Sequence, residues 1–332
     1  MRKLLLLTFS SLLLFYSCSN NNPDISNINV DVSIIRFDSI MFSKSTDSIS
    51  SWLPEYLSLY PEFLDLYTTG IISVGSSGNK NFTKRFEEFV SYTKGFEIDK
   101  AVSDRFKDFN KIERKIIKGL KYYKYYFPDE NIPKIYTYIS GFNQSITVSK
   151  NFIGIGLDKY LGMNSTYYTD MTIPRYVRYR AEKRFIPIDI VRALAYNKSD
   201  FPDVEQNLLN KIIYEGKIQY FIDKMFPDIA DSTKIGYTSK QIEWCNKNEK
   251  EVWTWLVNNK KLFITDYKEV RSFIGESPFT VELSKESPGR IGVWVGWQIV
   301  KQYMKENPKI TLADLMKNND FQGILNSAKY NP

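Results

Sequence analysis

Glu215 and Gln219 carry the first hint of chemistry in this chain. Steps of four and three residues through Leu208, Ile212, Glu215, Gln219, Ile222 and Phe226 trace one face of a helix whose other members are apolar. A carboxylate and an amide in such a stripe need partners. An unpaired buried polar group costs roughly 2 kcal/mol or more, and a buried charge costs more still. Glu215 can therefore act as a general acid or base, as an oxygen ligand for Ca²⁺ or Mg²⁺, or as half of an ion pair with an Arg or Lys from another element. Asp158, Asp189 and Asp223 are further carboxylates, at separations the sequence leaves open.

What is missing narrows the choice. The chain has no histidine, which removes Ser-His-Asp and Cys-His catalysis and every zinc site of the HExxH or His-rich kind. No EF-hand loop is present. Gly154-Ile155-Gly156 lies in a strand-like run and reads as a sheet feature, not a dinucleotide fingerprint. No metal or other cofactor is expected.

The elements that must position Glu215 can be read from period and punctuation. Leu208 to Pro227 is one helix closed by proline, and Ile186 to Tyr196 is another with Pro187 in its first turn. Ile291 to Lys305 is a third, in which Gly289, Gly292 and Gly296 fall on one face. Glycine in a helix costs about 1 kcal/mol against alanine, so another element is expected to press close there.

Upstream, Asn27 to Phe37 alternates like a strand. Helices are expected over Ser50 to Tyr67, interrupted or restarted by Pro54 and Pro61, and over Asn81 to Lys94, Asp99 to Phe127 and Ile173 to Lys183. Lys134 to Ser140, Gln144 to Ser149 and Phe152 to Leu157 read as a meander, with Gly141-Phe142-Asn143 as a hairpin turn. Ser239 is the expected N-cap of a helix over Lys240 to Asn258, and its Trp255 suits an interface or a core.

The start of the 332-residue chain is not expected to belong to the fold. A basic Met1-Arg2-Lys3 precedes the apolar run Leu4 to Tyr16, too short to span a bilayer, and Ser17-Cys18 follows. This is the pattern of a bacterial lipoprotein signal with Cys18 as the lipidated residue; an ordinary secretory signal with an incidental cysteine is the alternative. The expected organisation is a signal peptide over 1–17, a tether over 18–27 and one domain over 28–332. The tether lacks the acidic run that would resemble a surface-export signal of Bacteroidetes lipoproteins, and the expected location is therefore the periplasmic face of the outer membrane.

Cys245 is then the one remaining thiol, expected in the core, and no internal disulfide can form. Without Arg2 and Lys3, 43 basic residues stand against 38 acidic ones. An excess of five, spread along the chain, does not argue for nucleic acid.

Four stretches, YEGKIQYFIDKMFPD (214–228), QIEWCNKNEKEVWTWL (241–256), SPGRIGVWVGWQIVKQYM (287–304) and SAKYNP (327–332), resemble the gliding motility lipoprotein GldB family of Bacteroidetes. The resemblance implies a lipid-anchored component of the gliding machinery and its associated type IX secretion system. It implies no reaction.

A more distant likeness is to predicted zinc-dependent proteases of the HExxH type. It implies an α+β, mostly helical, zincin-like domain with a small antiparallel sheet and extra N-terminal helices. Only Glu215 matches, as the would-be third ligand. The helix expected to bear the histidines, Ile186 to Tyr196, offers Asp189 and Arg192 instead. The implied protein is a non-catalytic scaffold in which Arg192 or another base pairs with Glu215 and the groove binds a peptide by strand addition. Two rivals remain: a hydrolase using Glu215 with Asp189, and a glycan binder stacking sugars on aromatic residues such as Trp255.

Overall fold

The computed structural model describes residues 22–199, 201–203 and 205–332, so Cys18 lies outside the described residues. The protein is α+β and mostly helical. A four-stranded sheet runs in the order β1 (Ile34–Arg36), β2 (Lys134–Tyr138), β4 (Phe152–Gly156) and β3 (Ile146–Val148).

The sheet is mixed, and this corrects the antiparallel meander. β2 pairs in parallel with both β1 and β4, and only β3 is antiparallel to its neighbour β4. The hairpin therefore joins β3 to β4, while β2 and β3 never touch as strands. The segment read as a hairpin turn does bend sharply, with Gly141 and Phe142 both at positive φ. It carries the chain over the end of β4 instead of back along β2.

Burial explains the parallel pairing. Every residue of β4 and all but the first of β2 are buried, as suits strands covered on both faces. On one face Tyr136, Tyr138 and Phe152 pack with Phe63 and Tyr67 from the N-terminal helices, Phe63 stacking on Tyr136 at 4.2 Å. On the other, Ile135, Ile153 and Ile155 join the large core built by the later helices.

Several helices are shorter or more broken than their periodicity predicts, each for a local reason. The N-terminal strand is only three residues long because a helix starts at Phe37. The stretch 50–67 restarts at Pro61 as expected but is not interrupted at Pro54, which lies inside Ile49–Leu59; Pro61–Leu66 follows and ends in a π turn. The long helix expected over 99–127 is two, Ile98–Arg105 and Asn110–Tyr126. At the break Arg36 takes the Phe106 carbonyl at 3.2 Å, and Asp108 accepts from the Asn110 amide.

Of 173–183, only Arg175–Arg178 forms α-helix, before Leu161 and Glu182 meet in a bridge. The helix expected over 240–258 divides into Ser239–Lys247 and Glu249–Asn258. Thr238, not Ser239, caps the first through a capping box with Gln241. Five further helices, Thr166–Asp170, Asp231–Ile235, Tyr267–Ile274, Leu312–Lys317 and Phe321–Ala328, occupy stretches read without one.

At the centre lies Leu208–Met225, the central helix, against Ile291–Glu306, the glycine helix. Backbones meet here. A Cβ on Gly296 would fall well inside 3.0 Å of the Ile212 carbonyl oxygen, and one on Gly216 would also clash, less severely, with the Gly296 carbonyl. A Cβ on Gly292 would lie 2.8 Å from Ile212 Cγ2. Gly289 precedes the first turn and presses on Ser277, away from the helix pair.

Candidate groove beside the sheet edge

The helix Ile186–Lys198, hereafter the groove helix, packs beside β3. Pro187 sits in its first turn, where its missing N–H costs nothing. Asp189, Arg192 and Tyr196 recur at three and four residues and line a cavity of about 480 Å³ together with Ala193, Ile146 and Val148.

β3 is an edge strand, and its register decides what it offers. The Gly156 amide donates to the Ser145 carbonyl at 2.8 Å, and the Ser149 amide to the Phe152 carbonyl at 2.9 Å. In an antiparallel pair these directions alternate, so Ser145, Thr147 and Ser149 face β4 while Ile146 and Val148 turn their N–H and C=O groups outward. Of those outward groups the Ile146 carbonyl accepts from Gln144 Nε2 at 2.6 Å. No strand among the described residues covers that edge.

The start of β3 is pinned by Asp158, which is wholly buried. Its carboxylate accepts from the Ser140 amide at 3.0 Å, the Ser140 hydroxyl and the Phe142 amide at 2.5 Å. Burial lifts its pKa above the usual carboxylate value although these donors pull the other way. Asp158→Ala is expected to cost about 2–4 kcal/mol, because it strands the buried Ser140 amide and hydroxyl and the part-buried Phe142 amide, and a melting curve checks this.

Along the groove floor runs a chain of charge. Arg180 donates to Asp189 at 2.6 Å and to Glu276 at 3.1 Å, and Tyr160 donates to the other Asp189 oxygen at 3.0 Å. Arg290, at positive φ and nearly buried, reaches Glu276 at 3.3 Å and the Ile235 carbonyl at 3.2 Å. Burial opposes ionisation of Arg180, but Asp189 and Glu276 outweigh it and raise its pKa. Burial also works against the Glu276 charge, yet Arg290 and Arg180 hold its pKa below the ordinary value.

The residues singled out from sequence are partly gathered here. Asp189 and Arg192 line the groove. Arg192 does not pair with Glu215. It donates to the Lys234 carbonyl at 3.1 Å and stands 3.7 Å from Asp189. Glu215 is half-buried and takes the Tyr196 hydroxyl on both carboxylate oxygens, at 3.1 and 3.0 Å. Burial, then Glu215, pushes the Tyr196 phenol up to about 12. Gln219, one turn on, is wholly buried, and its amide makes no hydrogen bond among the described residues.

Asp158 and Asp223 stand elsewhere, Asp223 paired with buried Lys234 at 2.5 Å. Among the described residues no three Cys, Asp or Glu side chains converge as metal ligands would. Trp255 is half-buried against Phe273, and Cys245 is wholly buried. Tyr160, Arg180, Tyr196, Glu276 and Arg290 were not anticipated. Tyr196 alone left a signal, four residues beyond Arg192 on one helical face.

A family model described as gliding motility protein GldB matches residues 18–332. No curated protein and no solved structure matches the chain. No helix among the described residues is long and apolar enough to cross a membrane.

Proposed function

Because the chain belongs to the gliding motility protein GldB family, we propose that it serves gliding as a non-catalytic binding component that holds an extended segment of another machinery protein against β3. One observation carries the reading: the N–H groups of Ile146 and Val148 and the Val148 carbonyl, which β4 does not take, belong to the edge strand that lines a preformed groove, the Ile146 carbonyl being held by Gln144. An added strand satisfies such an edge with backbone hydrogen bonds, and side-chain pockets select its sequence.

The same proposal places lipid on Cys18, where the family match begins, and the body at the periplasmic face of the outer membrane. There it serves gliding together with the linked type IX secretion machinery. Residues 28–332 act as one domain whose two cores share the sheet.

The order of edge strand, groove helix and Glu-Gly helix supports descent from a zincin-like scaffold. Arg192 and Tyr196 stand four residues apart on the groove helix, the spacing that two metal-binding histidines on a helix would have. A phenol occupies Glu215 in the place of an ion.

Val148→Pro tests the binding role. The Val148 N–H points away from β4, so proline removes a donor that the ladder does not use. Cells carrying it are expected to make folded, membrane-bound protein and to lose spreading over agar. Normal spreading would overturn strand addition. The full-length lipoprotein in detergent is also expected to hold no stoichiometric metal and to cleave no peptide; cleavage that Glu215→Gln abolishes would restore the hydrolase reading.

A further inference from the structure

We propose that the groove selects segments bearing an acidic side chain, whose carboxylate is received by Arg192. The inference rests on the strand-addition reading and adds the chemistry of the partner.

Charge bookkeeping in the cavity points to it. Four basic side chains, Lys159, Arg178, Arg180 and Arg192, line it with only two carboxylates, Asp189 and Glu276. Both carboxylates are already engaged by Arg180, and Glu276 by Arg290 as well. Lys159 and Arg178 have no ion pair among the described residues. Lys159 donates to the Phe142 carbonyl at 2.9 Å and Arg178 to the Thr169 hydroxyl at 2.7 Å, both neutral acceptors.

Arg192 is the best placed to receive a carboxylate. Its Nε is buried and makes no hydrogen bond, the acceptor it does reach, the Lys234 carbonyl, is neutral, and Asp189 stands off at 3.7 Å. Burial, then the charges of Arg180 and Arg290, brings its pKa down to about 10. A guanidinium in that setting is short of anion, and its planar fork matches a carboxylate.

The occupant follows from the walls. Ile146, Val148, Ile173 and Val177 make the groove largely apolar, which suits the alternating side chains of a strand and strengthens an ion pair by excluding water. A neutral sugar would leave the cationic excess uncompensated. Truncating one partner of a buried, hydrogen-bonded charge pair leaves the other charge unpaired and speeds release.

The test is an array of ten-residue peptides, each position run through all side chains, probed with the full-length lipoprotein in detergent micelles. Retained peptides are expected to require Asp or Glu at one position, with Asn or Gln there weakening binding tenfold or more. In Arg192→Gln this difference should disappear, the Asn peptide binding as it does to the unaltered protein. Should Arg192→Gln fail to fold, Arg192→Lys is expected to keep the preference and bind the acidic peptide more weakly; unchanged affinity overturns the assignment. Peptides bound through β3, and lost in Val148→Pro, but without acidic preference overturn the inference and leave the groove reading standing. No retained peptide at all, or retention of glycans instead, overturns both.

Discussion

Gly296→Ala is expected to destabilise the protein by about 3 kcal/mol or more, although alanine is the better helix former by about 1 kcal/mol. The added methyl meets the backbone carbonyl of Ile212. No rotamer change can move that atom. The glycine helix must slide or tilt off the central helix, opening the packing around wholly buried Trp294 and Trp297. Against a net stability of about 5–15 kcal/mol such a loss is severe. Gly78→Ala, where nothing lies within 4 Å of the new methyl, is the control and should shift the melting temperature little. An unchanged melting temperature for Gly296→Ala would mean that the two backbones are not in contact.

The second large effect is a dependence on pH. Lys217, on the central helix, is wholly buried. Its ammonium donates to the Asn318 carbonyl at 2.8 Å and lies 5.7 Å from the Phe321 ring. Burial holds its pKa down to about 8, against 10.5 when exposed. Between those values the unfolded chain binds the proton that the folded protein has released, so stability rises with pH. The gain is about 1 kcal/mol from pH 8 to 9, and below pH 8 the full cost, on the order of 3 kcal/mol, is present.

Cys245 works in the opposite sense. Burial raises its thiol pKa, so its contribution falls away as pH climbs through 9. Lys217→Met isolates the first effect. It should be more stable than the parent at pH 7 by about 2–3 kcal/mol, and it should lack the rise between pH 8 and 9 in paired denaturant titrations. Equal pH slopes in the two proteins would show that Lys217 is solvated.

How far the sequence could be read depends on whether a feature is local. The central helix was legible because Leu208, Ile212, Ile222 and Phe226 keep one period, and its polar interruption at Glu215 stood out against them. The glycines of the other helix were legible because glycine in a helix has a known penalty. Their partner Gly216 was not, since one glycine carries no pointer to what it touches.

Strand pairing was misread because three-residue β3 holds too little pattern to choose between β2 and β4. That choice was made by Asp158 gripping the preceding turn, and by burial on both faces. The floor of the groove was invisible for a different reason. Arg180 and Glu276 come from irregular segments whose only common property is the place to which the fold brings them. Tyr196 in place of Arg192 as the partner of Glu215 depended on side-chain reach, which spacing does not encode.

Strand order also governs how force would travel. The chain enters the sheet at β1, one edge, and β3, paired on one side alone, is the other. With lipid at Cys18 and a partner seated on β3, as proposed, any tug between membrane and machinery enters at one edge and leaves at the other, crossing every ladder between them. A pull along the strands loads the hydrogen bonds of each ladder together, whereas a pull across them opens the bonds one after another. Helices packed on both faces clamp the sheet against the second mode. A body arranged in this way would serve as a mechanical coupling between the membrane and the partner proposed for β3.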